Sequence, residues 1–101
     1  MDRISSTTIL RAVSTQPRLH VCRYLASQRE TVTTLHELAT HLVDRRRPRG
    51  PHFGDAYERM AILLHHNHLP RLDEMSVVEY DTDRRRVRPD TALSVVESRL
   101  F

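Results

Sequence analysis

The amino-acid sequence predicts an α+β domain that is mainly helical and carries one two-stranded hairpin. Three observations predict it. Apolar residues recur at helical spacing over 35–43 and again over 57–75. Val77-Val78-Glu79-Tyr80 and Arg85-Arg86-Val87-Arg88 flank a polar turn and are closed by Pro89, which has no N–H to give to a ladder. Two of the five prolines and both glycines fall in 48–54, between the helical stretches.

Taken in order, Ile4 to Val13 predicts a short helix with Ile9, Leu10 and Val13 apolar, stopping before Ser14-Thr15-Gln16. Pro17 sits where a helix favours its first residue, because the ring presets φ and the missing N–H has no intrahelical partner there. A helix to about Gln28 follows, burying Cys22, Leu25 and Ala26, flanked by Leu19, Val21 and Tyr24. Thr31-Val32-Thr33 is β-branched throughout and predicts a bridge or brief strand. Thr34-Leu35-His36-Glu37 has the capping-box pattern, in which the threonine hydroxyl accepts the N3 amide. Leu35, Leu38, Ala39, Leu42 and Val43 then trace the clearest amphipathic helix of the chain.

The segment 48–54 predicts a loop, with Asp55 and Glu58 as the cap pair of a long third helix. Tyr57, Met60, Ala61, Leu64, His68, Leu72 and Met75 step along it by three or four. Pro70 lies inside that pattern and removes a backbone hydrogen bond, so a kink or break is expected between His66 and Pro70. After the hairpin, Asp90 can cap a last helix bearing Leu93, Val96 and Leu100.

With 101 residues the chain suffices for one domain, expected to span 1–101 with its core over about 9–90 and a terminal helix at 91–101. No apolar run approaches the roughly 20 residues of a membrane span. The start, Met1-Asp2-Arg3-Ile4, lacks the basic-then-apolar order of a secretory signal, which predicts a cytoplasmic protein. A single cysteine, Cys22, excludes an intramolecular disulfide and a thiolate zinc site, although two chains could join through it.

All 16 basic residues are arginine, and the formal net charge is +3. Two origins stay open: GC-rich codons, or a surface making forked contacts with phosphates and carboxylates. Residues 1–50 carry nine Arg against four Asp and Glu, and residues 51–101 seven against nine. Runs at Arg45-Arg46-Arg47-Pro48-Arg49 and Arg84-Arg85-Arg86-Val87-Arg88 concentrate the charge into the footprint of a nucleic-acid binder, or into two solvated loops.

The order helix, helix, brief strand, helix, loop, helix, hairpin, helix is that of a winged helix-turn-helix, with a two-stranded wing and flanking N- and C-terminal helices. The run His66-Asn67-His68-Leu69-Pro70-Arg71-Leu72-Asp73-Glu74-Met75-Ser76-Val77-Val78-Glu79-Tyr80-Asp81 resembles the recognition-helix end and wing start of arsenical-repressor (ArsR) type repressors. Those carry Ser-x-His-Leu-x-x-Leu-x-x-x-Gly-hydrophobic-Val there. More closely, His-x-His-Leu-Pro-x-Leu followed by Val-Val-Glu-Tyr-Asp, with the early Pro17-Arg18 helix, resembles a group of small haloarchaeal winged-helix proteins over roughly residues 9 to 90. Two departures stand out: Ser76 replaces the glycine of the repressor pattern, and the chain is net basic where haloarchaeal surfaces are acidic.

The expected function is DNA-binding transcription regulation by a homodimer joined through its first and last helices. One short helix reads few base pairs, and a two-fold dimer reads two half-sites. Arg59, Leu63, His66, Asn67 and Arg71 are the base-reading candidates, arginine forking onto guanine and asparagine onto adenine. Arg84, Arg85, Arg86 and Arg88 on the wing, with Arg45, Arg46, Arg47 and Arg49 in the loop, would meet the backbone or a minor groove. The competing class is a winged-helix module that binds another protein. His36, His41, His52, His65, His66 and His68 have no metal-ligand spacing, and His68 reads as a hydrogen-bonded packing residue. No nucleophile elbow or phosphate loop is present, so neither an enzyme nor a cofactor is expected.

Overall fold

The computed structural model describes residues 6–28, 31–46 and 52–101. Helices α1 (Ser6–Ala12) and α2 (Gln16–Ser27) precede the short strand β1 (Thr33–Thr34) and helix α3 (Leu35–Arg46). A continuous helical run follows, made of α4 (Phe53–Leu63), a π-helical turn (Leu64–His68) and α5 (Leu69–Glu74). Strands β2 (Val78–Asp81) and β3 (Arg86–Pro89) form the hairpin, and α6 (Thr91–Leu100) ends the chain. The architecture is α+β and mainly helical, with a layout compatible with a winged helix.

Capping chemistry places most helix starts. The Thr15 hydroxyl accepts from the Arg18 amide at 3.2 Å, with Pro17 in the first turn of α2. The Thr34 hydroxyl accepts from the Glu37 amide at 3.1 Å, and an Asp90 carboxylate oxygen from the Thr91 amide at 2.7 Å. Asp55 does not cap. Helix α4 begins earlier, at Phe53, so Phe53 and Gly54 belong to the helix and not to a loop. The Phe53 ring stacks on Tyr57 one turn ahead, centroids 6.4 Å apart, and that contact favours the earlier start. Asp55 then lies in the first turn, where its charge suits the helix dipole.

The expected disturbance around Pro70 takes the form of a π turn. The Leu69 amide reaches back to the Leu64 carbonyl, five residues away, and the wider turn accommodates a proline that has no N–H to donate. It also keeps Met60, Leu64, His68 and Leu72 facing inward, although steps of four residues would drift around an undisturbed α-helix. Leu69 joins them at 0% exposure, a core position that counting by threes and fours misses.

The sheet order is β1-β3-β2, antiparallel throughout. Thr33 pairs with Val87 and Thr34 with Arg86, so the brief strand docks on the hairpin's second strand. The Leu35 amide donates to the Arg85 carbonyl at 2.9 Å, joining the start of α3 to the end of the hairpin turn. Between α5 and β2 the Ser76 amide donates to the Asp73 carbonyl and the Val77 amide to the Leu72 carbonyl. This is a Schellman closure, and it puts Ser76 in the left-handed region at φ 59°.

One cluster of buried side chains runs from Ala12 to Val96 and includes Val21, Leu25, Leu38, Leu64, Leu72, Val78 and Val87. On α2, which packs against α6 and α3, the buried stripe is Val21, Cys22 and Leu25, with Ala26 only partly covered. Cys22 is fully buried, and burial pushes its thiol up to about 12. Among the described residues no helix is long and apolar enough to cross a membrane.

Candidate nucleic-acid interface

Along the run 53–74 the inward face leaves Arg59, Ile62, Leu63, His66, Asn67 and Arg71 on the outside. All five base-reading candidates are therefore exposed on one helical run. Ile62, 58% exposed beside Leu63 at 48%, joins that face, although helical spacing alone did not single it out. Asp55 and Glu58 are exposed at the start of the same run, so its positive character begins only at Arg59.

Asn67 is already engaged. Its Oδ1 accepts from Arg18 Nη2 at 3.0 Å, which turns the carboxamide nitrogen into the group it can offer a partner. His68, next in the chain, is 8% exposed, and its Nδ1 accepts from Arg18 Nε at 3.1 Å. That bond requires a neutral ring, and burial followed by the charge of Arg18 lowers the His68 pKa below the usual histidine value. His68 is thus a packing residue tied to α2, as its place in the apolar stripe suggests.

His65 leaves the helix toward the hairpin. Its Nδ1 lies 2.5 Å from the Tyr80 hydroxyl, and the Tyr80 amide donates to an Asp73 carboxylate oxygen at 2.8 Å. These two bonds fix β2 against α5 and the π turn. Burial raises the Tyr80 pKa, Arg85 opposing and Asp81 reinforcing the shift. Burial, then His66 and Arg85, lowers that of His65. The Arg85 charge is therefore felt on the helix side of the hairpin.

On the hairpin, Arg84, Arg85, Arg86 and Arg88 are all exposed. None of the four guanidinium groups has a hydrogen-bond or ion-pair partner among the described residues. Cross-strand register sets Asp81 opposite Arg86 and Glu79 opposite Arg88, and these carboxylates offset part of the charge on the outer sheet face. They line a cleft of about 300 Å³ with Val32, Asp73, Tyr80 and Arg84. Asp81 Oδ1 accepts from the amides of Asp83 and Arg84, shaping the turn, and Arg85 closes it at φ 55°. At the tip Arg84 and Arg85 stand beside the exposed Asp83, so the hairpin carries one positive charge in excess. Of the other basic run, Arg45 is exposed near the end of α3, Arg46 closes that helix, and Arg47 and Arg49 lie outside the described residues, as does the Arg46 side chain.

The fold and this surface define a small helical domain with a basic hairpin set beside a solvent-facing helix. The chain belongs to the family described as "Domain of unknown function (DUF7344)", whose model matches residues 10–88, from α1 to β3. No curated protein and no solved structure matches the chain. Among the described residues no group of three or more His, Cys, Asp or Glu is placed to hold a metal ion.

Proposed function

We propose that the chain is a DNA-binding transcriptional regulator of the winged helix-turn-helix type, cytoplasmic and without catalytic activity, acting as a homodimer through α1 and α6. One observation carries the reading: four unpartnered arginines of the hairpin flank a helix whose outward face holds Arg59, His66, Asn67 and Arg71. In this reading the run 53–74 enters the major groove and the hairpin meets backbone phosphate or the minor groove. Arg59 forks onto guanine, a bidentate pair supplying about 1–3 kcal/mol of discrimination, while Leu63 meets a thymine methyl group and Asn67 donates singly from its amide nitrogen. Arg45 and its neighbours Arg46, Arg47 and Arg49 position the backbone. Helices α1 and α6 contact each other and leave Leu10, Leu100 and Phe101 exposed, an apolar surface available to a second copy.

The test is selection from a pool of random duplexes at low and near-molar KCl, followed by sequencing. A two-fold symmetric motif that survives high salt is the expected result. Binding confined to low salt with nothing enriched would sink the regulator reading, because charge alone attracts any polyanion. The second reading, a module for a protein partner, is favoured by the adjacent exposed Ile62 and Leu63. Arg85→Ala and Arg86→Ala should weaken binding to all sequences and flatten the salt dependence, whereas Asn67→Ala should alter sequence preference. Equal effects of all three on every site would remove the base-reading assignment.

A further inference from the structure

Arg18 is a guanidinium held without a counter-charge. Its Nε donates to His68 Nδ1, its Nη2 to Asn67 Oδ1, and its Nη1 to the Arg11 carbonyl at 3.2 Å and the Ser14 hydroxyl at 3.4 Å. Every one of these acceptors is neutral. Four of the five N–H donors are consumed, and one hydrogen on Nη2 remains. No carboxylate among the described residues pairs with Arg18. Instead two more cations act on its charge: burial first, then Arg71 and Arg11, lower its pKa.

This arrangement is unfavourable in the free protein. Arginines that only had to be soluble would spread apart, yet here the central one is locked by neighbours from α1, the α1–α2 turn and the π turn. An anion would offset the three charges. We propose that Arg11, Arg18 and Arg71 form a phosphate-binding site at the junction of α1, α2 and α5, separate from the hairpin arginines. Arg18 supplies a fixed donor, and Arg11 and Arg71, both exposed and both acting on its charge, supply the rest of the positive charge. Sequence proximity does not produce the site, since Arg18 and Asn67 are 49 positions apart. The assignment moves Arg71 from a base edge to a phosphate. It rests on the DNA reading only for the source of that phosphate, a backbone group flanking the helix in the groove.

Inorganic phosphate is the first probe, followed through the Arg18 Nε–H resonance in a ¹⁵N-labelled sample. A saturable shift is expected, weakened severalfold in Arg11→Ala and in Arg71→Ala and abolished in the double variant. No saturable shift, or an unchanged titration in the double variant, would overturn the site. Both replaced side chains are exposed, so thermal denaturation should confirm that the variants stay folded. Duplex DNA is the second probe. Each replacement should lower the slope of log affinity against log salt by about one if the phosphate belongs to DNA. An unchanged slope alongside an intact inorganic-phosphate site would overturn the DNA source, and no duplex binding at all would overturn the regulator reading while the site stood.

Discussion

Arg18 and His68 lie 50 positions apart in the chain, and a 3.1 Å bond from Nε of the first to Nδ1 of the second ties the start of α2 to the π turn. The bond exists only while His68 Nδ1 has a free lone pair, so protonation would set one cation against another in a half-buried place.

Acid should therefore destabilise the fold. The His68 pKa is lowered in the folded state by burial and by Arg18, so between that lowered value and the ordinary 6.5 the unfolded chain binds the proton more readily. Stability is fully present above pH 6.5 and falls as pH drops through 6.5 toward the folded value. His20, His41 and His65 are shifted the same way, each mainly by burial, and add to the trend. Arg11 and Arg71 act on the charge of Arg18 itself. Denaturation midpoints measured from pH 7.5 to 5 should decline, and His68→Asn, which keeps an acceptor at the δ position without a titrating ring, should flatten the decline. A pH-independent midpoint for the wild-type chain would refute the linkage.

Ser76 occupies a left-handed conformation that suits glycine, at φ 59° after the Schellman closure. Ser76→Gly relieves the Cβ crowding and loses some of that gain to greater freedom when unfolded, so a net stabilisation of about 0.5–1 kcal/mol is expected. Ser76→Val should go the other way by about 1–2 kcal/mol, because β-branching worsens the same contact. Urea titration of the two variants checks both signs.

Tyr80 and His65 share the hydrogen bond that holds the hairpin to the helical run. A double-mutant cycle of Tyr80→Phe and His65→Ala should return a coupling of about 0.5–1.5 kcal/mol. A coupling near zero would mean that the bond adds nothing beyond the packing of two rings whose centroids are 5.8 Å apart.

Cys22 should be inert in the native protein. A thiol at 0% exposure with its pKa pushed up to about 12 presents neither access nor thiolate. Labelling by a thiol reagent should proceed at the rate of opening and accelerate in denaturant. Rapid native labelling, or a disulfide-linked dimer formed without loss of structure, would contradict the observed core.

Features written in a few adjacent residues were legible in the sequence. The caps of Thr34 and Asp90 rest on chemistry within four positions and stand where the pattern set them. Both hairpin strands, in contrast, begin one residue later than expected. Pro89, expected to close the second strand, is its last residue and pairs with Val78, an end position where its missing N–H is tolerated. Asp55 misled because a cap residue is also welcome in a first turn, and the Phe53–Tyr57 contact settled which it would be. Pro70 signalled a defect in the helix but not its form, since a kink, a break and a π turn all satisfy a missing N–H. Exposure of Arg59, Leu63, His66, Asn67 and Arg71 followed from helical spacing. The engagement of Asn67 by Arg18 did not, because it depends on where α1 and α2 settle against the π turn, a matter of tertiary packing with no local signature.

The two-residue strand β1 has an effect out of proportion to its length. Thr33 and Thr34 hold β3, and the next amide, that of Leu35, is bonded to the carbonyl of Arg85 at the end of the hairpin turn. Asp73 and His65 grip the other side of the hairpin through Tyr80. The hairpin is clamped from both edges, so its tip and the outer helix form a caliper with a fixed opening. A ligand that spanned both jaws would have to match that gauge, and width would select before any single side chain was consulted.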